Sequence, residues 1–487
     1  MTRLRIIRRT LTSAGGTMAG GHGWVEKFEA DELVVAIPQL SVVREALREC
    51  GVTIGGRGIE ENGVLGLARL FDLNGLDEAV SKLMKRHDLV SHQLEAYRKL
   101  RHDAHPHRGT PPVSDLALVI QGVKLLLAEK YPGWQIAIGK NYRPSLVRGN
   151  PHTDGGGHPK PHTDGSGKPI PAAQALAGPI VRPDPHTDIR PSGEGRPTPT
   201  GDPSTGPVKR PGPHTDVVRD RGRAVKVGLV DTRLYPHESL TDHYIGRAAD
   251  ILSPSLPVFT EFDGHCAFVA SCILRQAPDA TLYLRHVLNE HGDGTVWDAA
   301  AGIADLVPLD LDVVNLSFGE YMTDDDSAPM VLDAAIRRFG SGTVVVAAAG
   351  NNGAVNGSRP ADVPAGVTPG TTSYPAALPG VVGVGAIDAD NKLAPFTPHP
   401  APWISLLARG VDVNAAYLRG DVRLPHSKQL TRFEGVANWA GCSFAAGVVT
   451  GVIAARTIPG QRSAREALDE LVASLGQQSW PGLKINA

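Results

Sequence analysis

The feature that most constrains the fold is a long segment rich in proline and glycine, residues 143–222. Its few apolar residues follow neither the period of a strand nor that of a helix, so it cannot bury enough surface to offset the entropy of ordering. We predict a disordered linker here, and therefore two separately folded regions at 1–142 and 223–487. Within the linker the tetrapeptide PHTD occurs four times, at 151–154, 161–164, 185–188 and 213–216.

The PHTD repeats place a histidine close to an acid, and both side chains can ligate metals. The copies stand at irregular intervals, however, with no predicted fold to bring their ligands together. We therefore interpret the repeats as spacer. A metal-binding protein built on them is the less favoured alternative.

The first region, 1–142, has the pattern of a small α+β domain. It contains no catalytic group of residues that the sequence alone identifies. Ser114, just before an apolar run, is a candidate N-cap. Strands are predicted at 31–37, 64–73 and 135–139, and helices at 40–51, 76–101 and 114–130.

The second region, 223–487, alternates apolar strands with helical segments, which is typical of an α/β fold with a parallel sheet covered by helices on both faces. Functional sites of such sheets lie at the carboxyl ends of the strands. Strands are predicted at 224–232, 280–288, 311–319, 342–351 and 380–388, and helices near 265–276, 295–306 and 327–339.

Four polar residues stand at the ends of these elements. Asp231 ends the first strand, and His265 begins an apolar helix. Asn351 ends a later strand, and Ser443 lies in the first turn of a helix rich in small residues. A serine hydroxyl becomes a nucleophile when a histidine takes its proton, a carboxylate orients that histidine, and amide donors stabilise the resulting oxyanion. These residue types therefore indicate acyl transfer.

Several motifs between 224 and 487 resemble the subtilase family of serine proteases. They are the chain order Asp, His, Ser and the segments VVNLSFG, AAAGNNG, SYPAALPGVVGVGAID and GLKINA. The resemblance implies a subtilisin-like serine endopeptidase that acts on polypeptides through an acyl-enzyme, with no metal or organic cofactor in its chemistry. It assigns the orienting acid to Asp231, the base to His265 and the nucleophile to Ser443. Asn351 is implied as a donor to the oxyanion.

The same resemblance implies residues that hold the substrate. Ser317, Phe318 and Gly319 would pair with the substrate backbone as an added strand. Ser373 would line the base of the main specificity pocket. A structural calcium ion at the acidic run 324–326 is an alternative, less favoured than a solvated loop.

Departures from the family pattern lie beside the implied catalytic residues. Arg233 follows the acid closely, and Cys266 with Ala267 follows the histidine. Cys442 precedes the serine, and Gly447 stands where the family has proline. A catalytically inactive subtilase fold that binds peptides is therefore the alternative function. The two cysteines are interpreted as apolar fillers, with an oxidative switch as the less favoured hypothesis.

The family also suggests two roles for residues 1–142. They could be a prodomain-like segment that is removed, or a permanent adaptor that recruits a regulatory protein partner. Because the helical part is larger than that of a usual prodomain, the adaptor is slightly favoured.

The overall composition narrows partners and compartment. The 487 residues carry a formal net charge of -2, without the basic excess typical of nucleic-acid binding. No apolar run is long enough to span a membrane, and the basic start lacks the apolar stretch of a signal peptide. The four cysteines include no CxxC pair, so reduced thiols are expected. We predict a cytoplasmic protein that binds neither nucleic acid nor membrane.

Overall fold

The computed structural model describes part of the chain, and the statements on structure below concern that part. The PHTD repeats lie outside it, except for one proline, as does most of the predicted linker. The described residues are 28–56, 58–86, 88–104, 113–143, 160–161, 224–322, 330–353, 367–424 and 429–475.

The described residues between 28 and 143 form an α+β unit. Its main sheet has the order β3-β4-β1-β6 and is antiparallel throughout, while β2 pairs with β5. The strands are β1 (Phe28–Ala36), β2 (Thr53–Ile54), β3 (Ile59–Asn62), β4 (Leu67–Leu70), β5 (Leu73–Asn74) and β6 (Ile138–Tyr142). The helices are α1 (Leu40–Cys50), α2 (Leu76–Met84), α3 (Leu89–Ala104) and α4 (Asp115–Lys130).

The predicted helices at 40–51 and 114–130 are confirmed as α1 and α4, and Ser114 caps α4 by accepting a hydrogen bond from the Ala117 amide at 3.3 Å. The single strand predicted at 64–73 was wrong. Gly66 and Asp72 both have positive φ, which ends strand geometry on each side of β4. The helix predicted at 76–101 is in fact two helices, α2 and α3. Asp88 accepts a hydrogen bond from the backbone N–H of Ser91 and acts as the N-cap of α3. The last strand lies at 138–142 and not at 135–139.

The two faces of the central strand β1 pack against different parts of the molecule. Leu33 and Val35 point into the core that the sheet shares with its own helices. Val34, between them, belongs with Leu67 to the core of the second unit. Because side chains alternate along a strand, β1 connects two hydrophobic cores.

The second unit is built on a seven-stranded sheet of order β17-β16-β14-β12-β8-β11-β9, in which every neighbouring pair is parallel. The strands are β7 (Lys160–Pro161), β8 (Lys226–Asp231), β9 (Tyr244–Ile245), β10 (Phe259–Thr260), β11 (Thr281–His286), β12 (Val313–Leu316), β13 (Glu320–Met322), β14 (Val344–Ala348), β15 (Thr372–Tyr374), β16 (Val381–Ile387), β17 (Ile404–Arg409), β18 (Val413–Arg423) and β19 (Leu430–Trp439). The helices are α5 (His265–Gln276), α6 (Val296–Leu306), α7 (Met330–Ile336), α8 (Cys442–Arg456) and α9 (Ala464–Ser474). The predicted α/β fold with a parallel sheet is confirmed.

Helices α5 and α8 pack on each other, as do α6 and α7. Glycines let α5 and α8 approach closely. A Cβ on Gly451 would lie 2.5 Å from the Ile273 carbonyl oxygen, and one on Gly447 would lie 3.1 Å from the Cys272 Cβ. Gly447, which departs from the family pattern, therefore sits where space between the helices is small.

The antiparallel pair β18 and β19 was not predicted. It forms a second sheet of order β10-β18-β19-β7. In that sheet Pro161 pairs with Ala437, and Lys160 with Asn438. Two residues inside the predicted linker thus lie alongside the strand that leads to Ser443, which the sequence did not indicate.

None of the helices in the described residues is both long enough and apolar enough to cross a membrane.

Candidate active site

The acid and the histidine predicted to act together are in contact. Asp231 is the last residue of β8, and His265 is the first residue of α5. The His265 Nδ1 lies 2.8 Å from Asp231 Oδ1 and 3.0 Å from Oδ2. Both side chains are buried. The carboxylate therefore accepts from Nδ1–H, which leaves Nε2 as the basic nitrogen of the ring.

The local chain holds this pair in place. The Thr232 amide donates to Asp231 Oδ1 at 2.7 Å, and the Thr232 hydroxyl donates to the Phe262 carbonyl at 3.0 Å. A Cβ on Gly264 would lie 2.2 Å from the Tyr417 ring, so the turn before His265 needs glycine. Thr232 was not predicted from the sequence as part of the site.

Aromatic rings surround the imidazole of His265. Trp439 stands edge-on with its ring centroid at 5.7 Å, and Phe444 lies at 5.6 Å. Phe262 completes the group at 6.5 Å. This enclosure excludes water from the imidazole and strengthens its interaction with the carboxylate.

Ser443 is the second residue of α8, where the positive end of the helix dipole favours a developing negative charge. Its hydroxyl donates to the carbonyl oxygen of Ser317 at 3.1 Å. In the described part of the chain no hydrogen bond joins Ser443 to His265. The Ser443 hydroxyl must therefore release the Ser317 carbonyl before the histidine can take its proton.

A buried polar network between β12 and α8, which the sequence did not indicate, holds the backbone of Ser443. The Asn315 Nδ2 donates to the Thr450 hydroxyl at 2.9 Å. The Ser317 Oγ lies 2.8 Å from Asn315 Oδ1 and 3.0 Å from the carbonyl oxygen of Ser443. The network joins the end of β12 to the Ser443 carbonyl and to the third turn of α8, so it holds the backbone at Ser443 and the helix that follows.

Asn351 faces the start of α8. Its Oδ1 accepts a hydrogen bond from the Cys442 amide at 3.0 Å. Because Oδ1 accepts from that N–H, the two donors of Nδ2, at the opposite edge of the planar amide group, point away from the Cys442 amide. Gly350, with φ of 112°, makes the turn that carries Asn351 beyond β14.

The residues predicted to hold substrate lie beside this group. Ser317, Phe318 and Gly319 follow β12 and are buried, so the Phe318 side chain belongs to the core and the backbone is what this segment presents. Ser373 lies in β15 opposite Tyr321 of β13, and its buried hydroxyl has no hydrogen-bond partner in the described structure.

The family departures leave the polar groups of the site in place. Arg233 is exposed. Cys266 and Cys442 are buried free thiols. Burial raises the pKa of the Cys442 thiol to about 12 and the pKa of Cys266 well above its ordinary value. Thiols that stay protonated react slowly with oxidants, which favours the interpretation as apolar fillers.

The acidic run 324–326, the candidate calcium loop, lies outside the described residues. Within the described ranges no cluster of three or more His, Cys, Asp or Glu side chains could hold a metal ion.

The second unit matches known proteases. The family model described as the subtilase family, peptidase S8, matches residues 222–458. Subtilisin DY of Bacillus licheniformis is 33% identical over 207 residues, which are 40% of this chain and 68% of that protein. Subtilisin Savinase of Lederbergia lenta is 32% identical over 206 residues, with 67% of that protein covered. The thermostable alkaline protease of Halalkalibacterium halodurans is 31% identical, and the chain spans 50% of its length.

Two solved protease structures also align with part of this chain. A cold adapted subtilisin-like serine proteinase aligns with a TM-score of 0.39 and 21% identity, covering 51% of this chain and 81% of that one. A lanthipeptide protease aligns with a TM-score of 0.41 and 23% identity, covering 53% and 81%.

Proposed function

The chain belongs to the subtilase family and is a serine endopeptidase, and we propose that Asp231, His265 and Ser443 carry its chemistry. The hydrogen bond between Asp231 and His265 is the observation that carries the assignment, because it fixes the tautomer that a base needs. The enclosure of both side chains and the position of Ser443 at the start of α8 support it further.

The reaction starts when the Ser443 hydroxyl turns toward His265 Nε2 and gives up its proton as Oγ attacks the scissile carbonyl carbon. Asp231 stabilises the imidazolium that forms. His265 then passes the proton to the leaving amine, and a water molecule repeats the sequence to release the acid. The Asn351 side-chain N–H and the Ser443 amide are the proposed donors to the oxyanion.

The substrate is a polypeptide, which we propose binds in extended form along residues 317–319. This segment presents backbone, since the Phe318 side chain is buried. Backbone pairing provides affinity with little dependence on the substrate's side chains. No metal or organic cofactor takes part in the proposed steps. The cytoplasmic location stays a prediction.

A fluorophosphonate probe tests the assignment directly, since it reacts with a serine only when a neighbouring base activates it. We expect covalent labelling of wild type at Ser443, identified by peptide mapping, and none in Ser443→Ala. Wild type that is folded by circular dichroism yet stays unlabelled would indicate the inactive, peptide-binding alternative.

The α+β unit docks on the peptidase unit through the face of its sheet that its own helices do not cover. Asn141 Oδ1 accepts from the Trp297 amide at 3.1 Å, in the first turn of α6. The Arg338 side chain, just beyond α7, donates to the Leu65 carbonyl at 2.9 Å. Val34 adds apolar contact to the same core. The face that an adaptor would offer to another protein is therefore occupied by the chain's own peptidase unit.

From this occupancy we propose that residues 28–143 regulate the peptidase unit to which they are joined. Recruitment of a separate regulatory partner is the alternative. Lys160 and Pro161, which pair with β19, bring the chain after this unit past the strand leading to Ser443. The docked unit and residues 160–161 thus both lie on the peptidase unit.

The substitution Val34→Arg tests this regulation. Burying a valine is worth about 1.5–3 kcal/mol, so losing it should weaken docking about tenfold or more. We expect a faster hydrolysis of small peptides than in wild type, measured alongside Asp31→Lys, an exposed change on the same strand. Equal rates in the three proteins would contradict the proposal. Mass spectrometry of wild type and Ser443→Ala would also report whether the unit is cut off by the enzyme itself.

A further inference from the structure

Tyr321 occupies an unexpected position next to the active site. It lies in β13, two residues after the segment 317–319, and β13 pairs with β15 so that Tyr321 faces Ser373. The family resemblance places the main specificity pocket at Ser373. The ring of Tyr321 therefore stands between the segment proposed to hold the substrate backbone and the residue expected at the base of the pocket.

Two contacts fix the ring. The Tyr321 hydroxyl accepts a hydrogen bond from the backbone N–H of Asn351 at 3.0 Å. Its Cε1 lies 3.2 Å from the point where a Cβ on Gly350 would be. Burial raises the pKa of this hydroxyl well above its ordinary value, so it is neutral at all physiological pH values. The ring is thus held against the backbone of the residues that end β14.

The position matters because of where a substrate's side chain must go. When the scissile carbonyl carbon meets Ser443 Oγ and its oxygen meets the Asn351 side chain, the residue that supplies this carbonyl lies beside Asn351. Its side chain would enter the space between residues 317–319 and residues 350–351. The Tyr321 ring already lies against the backbone of Gly350 and Asn351 on that side.

The surroundings of the ring are small and polar. The Ser373 hydroxyl and Asn352 Oδ1 are both buried and have no hydrogen-bond partner in the described structure. A Cβ on Gly350 would lie 2.8 Å from Asn352 Oδ1 and 3.4 Å from the Ser373 Cβ. These described neighbours offer little of the apolar surface that a large aromatic side chain would need around it.

We propose that Tyr321 closes the specificity pocket, so that this enzyme cleaves after small residues, namely glycine, alanine or serine, and rejects large ones. The inference rests on the proposed function of Ser443 and names the substrate class of that site. It makes Tyr321 a specificity-determining residue, since a ring that fills a pocket excludes side chains by overlap while leaving the substrate backbone free to bind.

The test uses tetrapeptide nitroanilides that differ only in the residue before the scissile bond, which is glycine, alanine, serine, leucine, phenylalanine or lysine. For wild type we expect kcat/KM to be about 100-fold higher for alanine than for phenylalanine, as a pocket that excludes bulk discriminates at least as well as one that lacks a methylene contact. In Tyr321→Ala, kcat/KM for the phenylalanine peptide should rise at least about tenfold. The ratio of kcat/KM for alanine to that for phenylalanine should fall by the same factor. Tyr321→Phe keeps the ring but removes the hydrogen bond to the Asn351 backbone, so its overall rate should fall while its ratio of kcat/KM for the alanine and phenylalanine peptides stays close to that of wild type.

Fluorophosphonate labelling of Ser443 in the same samples distinguishes a failure of the proposed selectivity from a failure of the proposed catalytic function. Labelled wild type that cleaves after phenylalanine as fast as after alanine overturns the inference and leaves the proposed function standing. The same holds for labelled protein that cleaves none of the small-residue peptides. Absence of both labelling and hydrolysis overturns the proposed function itself. If Tyr321→Ala does not fold, the selectivities of wild type and Tyr321→Phe still decide, because both are predicted to favour alanine.

Discussion

Replacing Ser443 by alanine is expected to lower kcat for peptide hydrolysis by about 10⁶-fold, the size of loss measured in subtilisin and borrowed from it. The reason is that, in the part of the chain that the structure describes, Ser443 is the hydroxyl at the start of α8 where the acyl-enzyme is proposed to form. Ser317, whose side chain is near, has its Oγ 2.8 Å from Asn315 Oδ1 inside a buried network. Initial rates with a peptide nitroanilide, measured at high enzyme concentration, give the value.

The same expectation extends to His265→Ala and to the double variant. A nucleophile and its base act as one unit, so the double variant should be no slower than either single one. Additive losses, with each substitution lowering the rate independently, would contradict the assignment. Ser474→Ala, at the end of α9, is the matched control and should keep the wild-type rate. Thermal unfolding of each protein checks that the buried substitutions have not disrupted the fold.

Asn351→Leu is expected to lower kcat by about 10² to 10³ with little change in KM, a magnitude that was also measured in subtilisin. The donors on Nδ2 contact the oxygen only after it has become charged, so they stabilise the transition state more than the bound substrate. Separate kcat and KM values from full saturation curves are the measurement.

Asn351 has a second role that the experiment must separate, because its Oδ1 accepts from the Cys442 amide. Asn351→Asp keeps an oxygen for that amide but has no N–H to offer. If the oxyanion donors are what matters, the aspartate variant loses at least as much kcat as the leucine variant. A near-normal kcat in Asn351→Asp would instead assign the effect to the support of α8.

The proposed catalytic residues could be located from the sequence because each stands at the end of an element that the local pattern indicates. Asp231 ends a strand of apolar residues, and Ser443 lies in the first turn of a helix that begins directly after Gly441. The chain order and the flanking motifs then distinguish one family from others with the same residue types. Local patterns and motif order together were enough to predict the α/β fold and to propose these side chains as the catalytic group.

The parts that could not be predicted depend on contacts between distant segments. Asn315 meets Thr450 across 135 positions of the chain, and no local pattern identifies either one as a partner of the other. Tyr321 has the appearance of an ordinary strand residue until β13 pairs with β15 and the backbone of Asn351 meets its hydroxyl.

The bond between Asn141 and α6 has a consequence for how the molecule folds. The first turn of α6 has its Asp298 amide satisfied by Thr295 from the same helix end, whereas the Trp297 amide relies on Asn141 from the other unit. Such terminal N–H groups must find a partner. Val34 and Leu67 likewise complete a core that is otherwise made of peptidase residues. The free energies of folding of the two units are therefore coupled: each is more stable in the presence of the other than alone, and cutting the chain between them does not by itself end that cooperation.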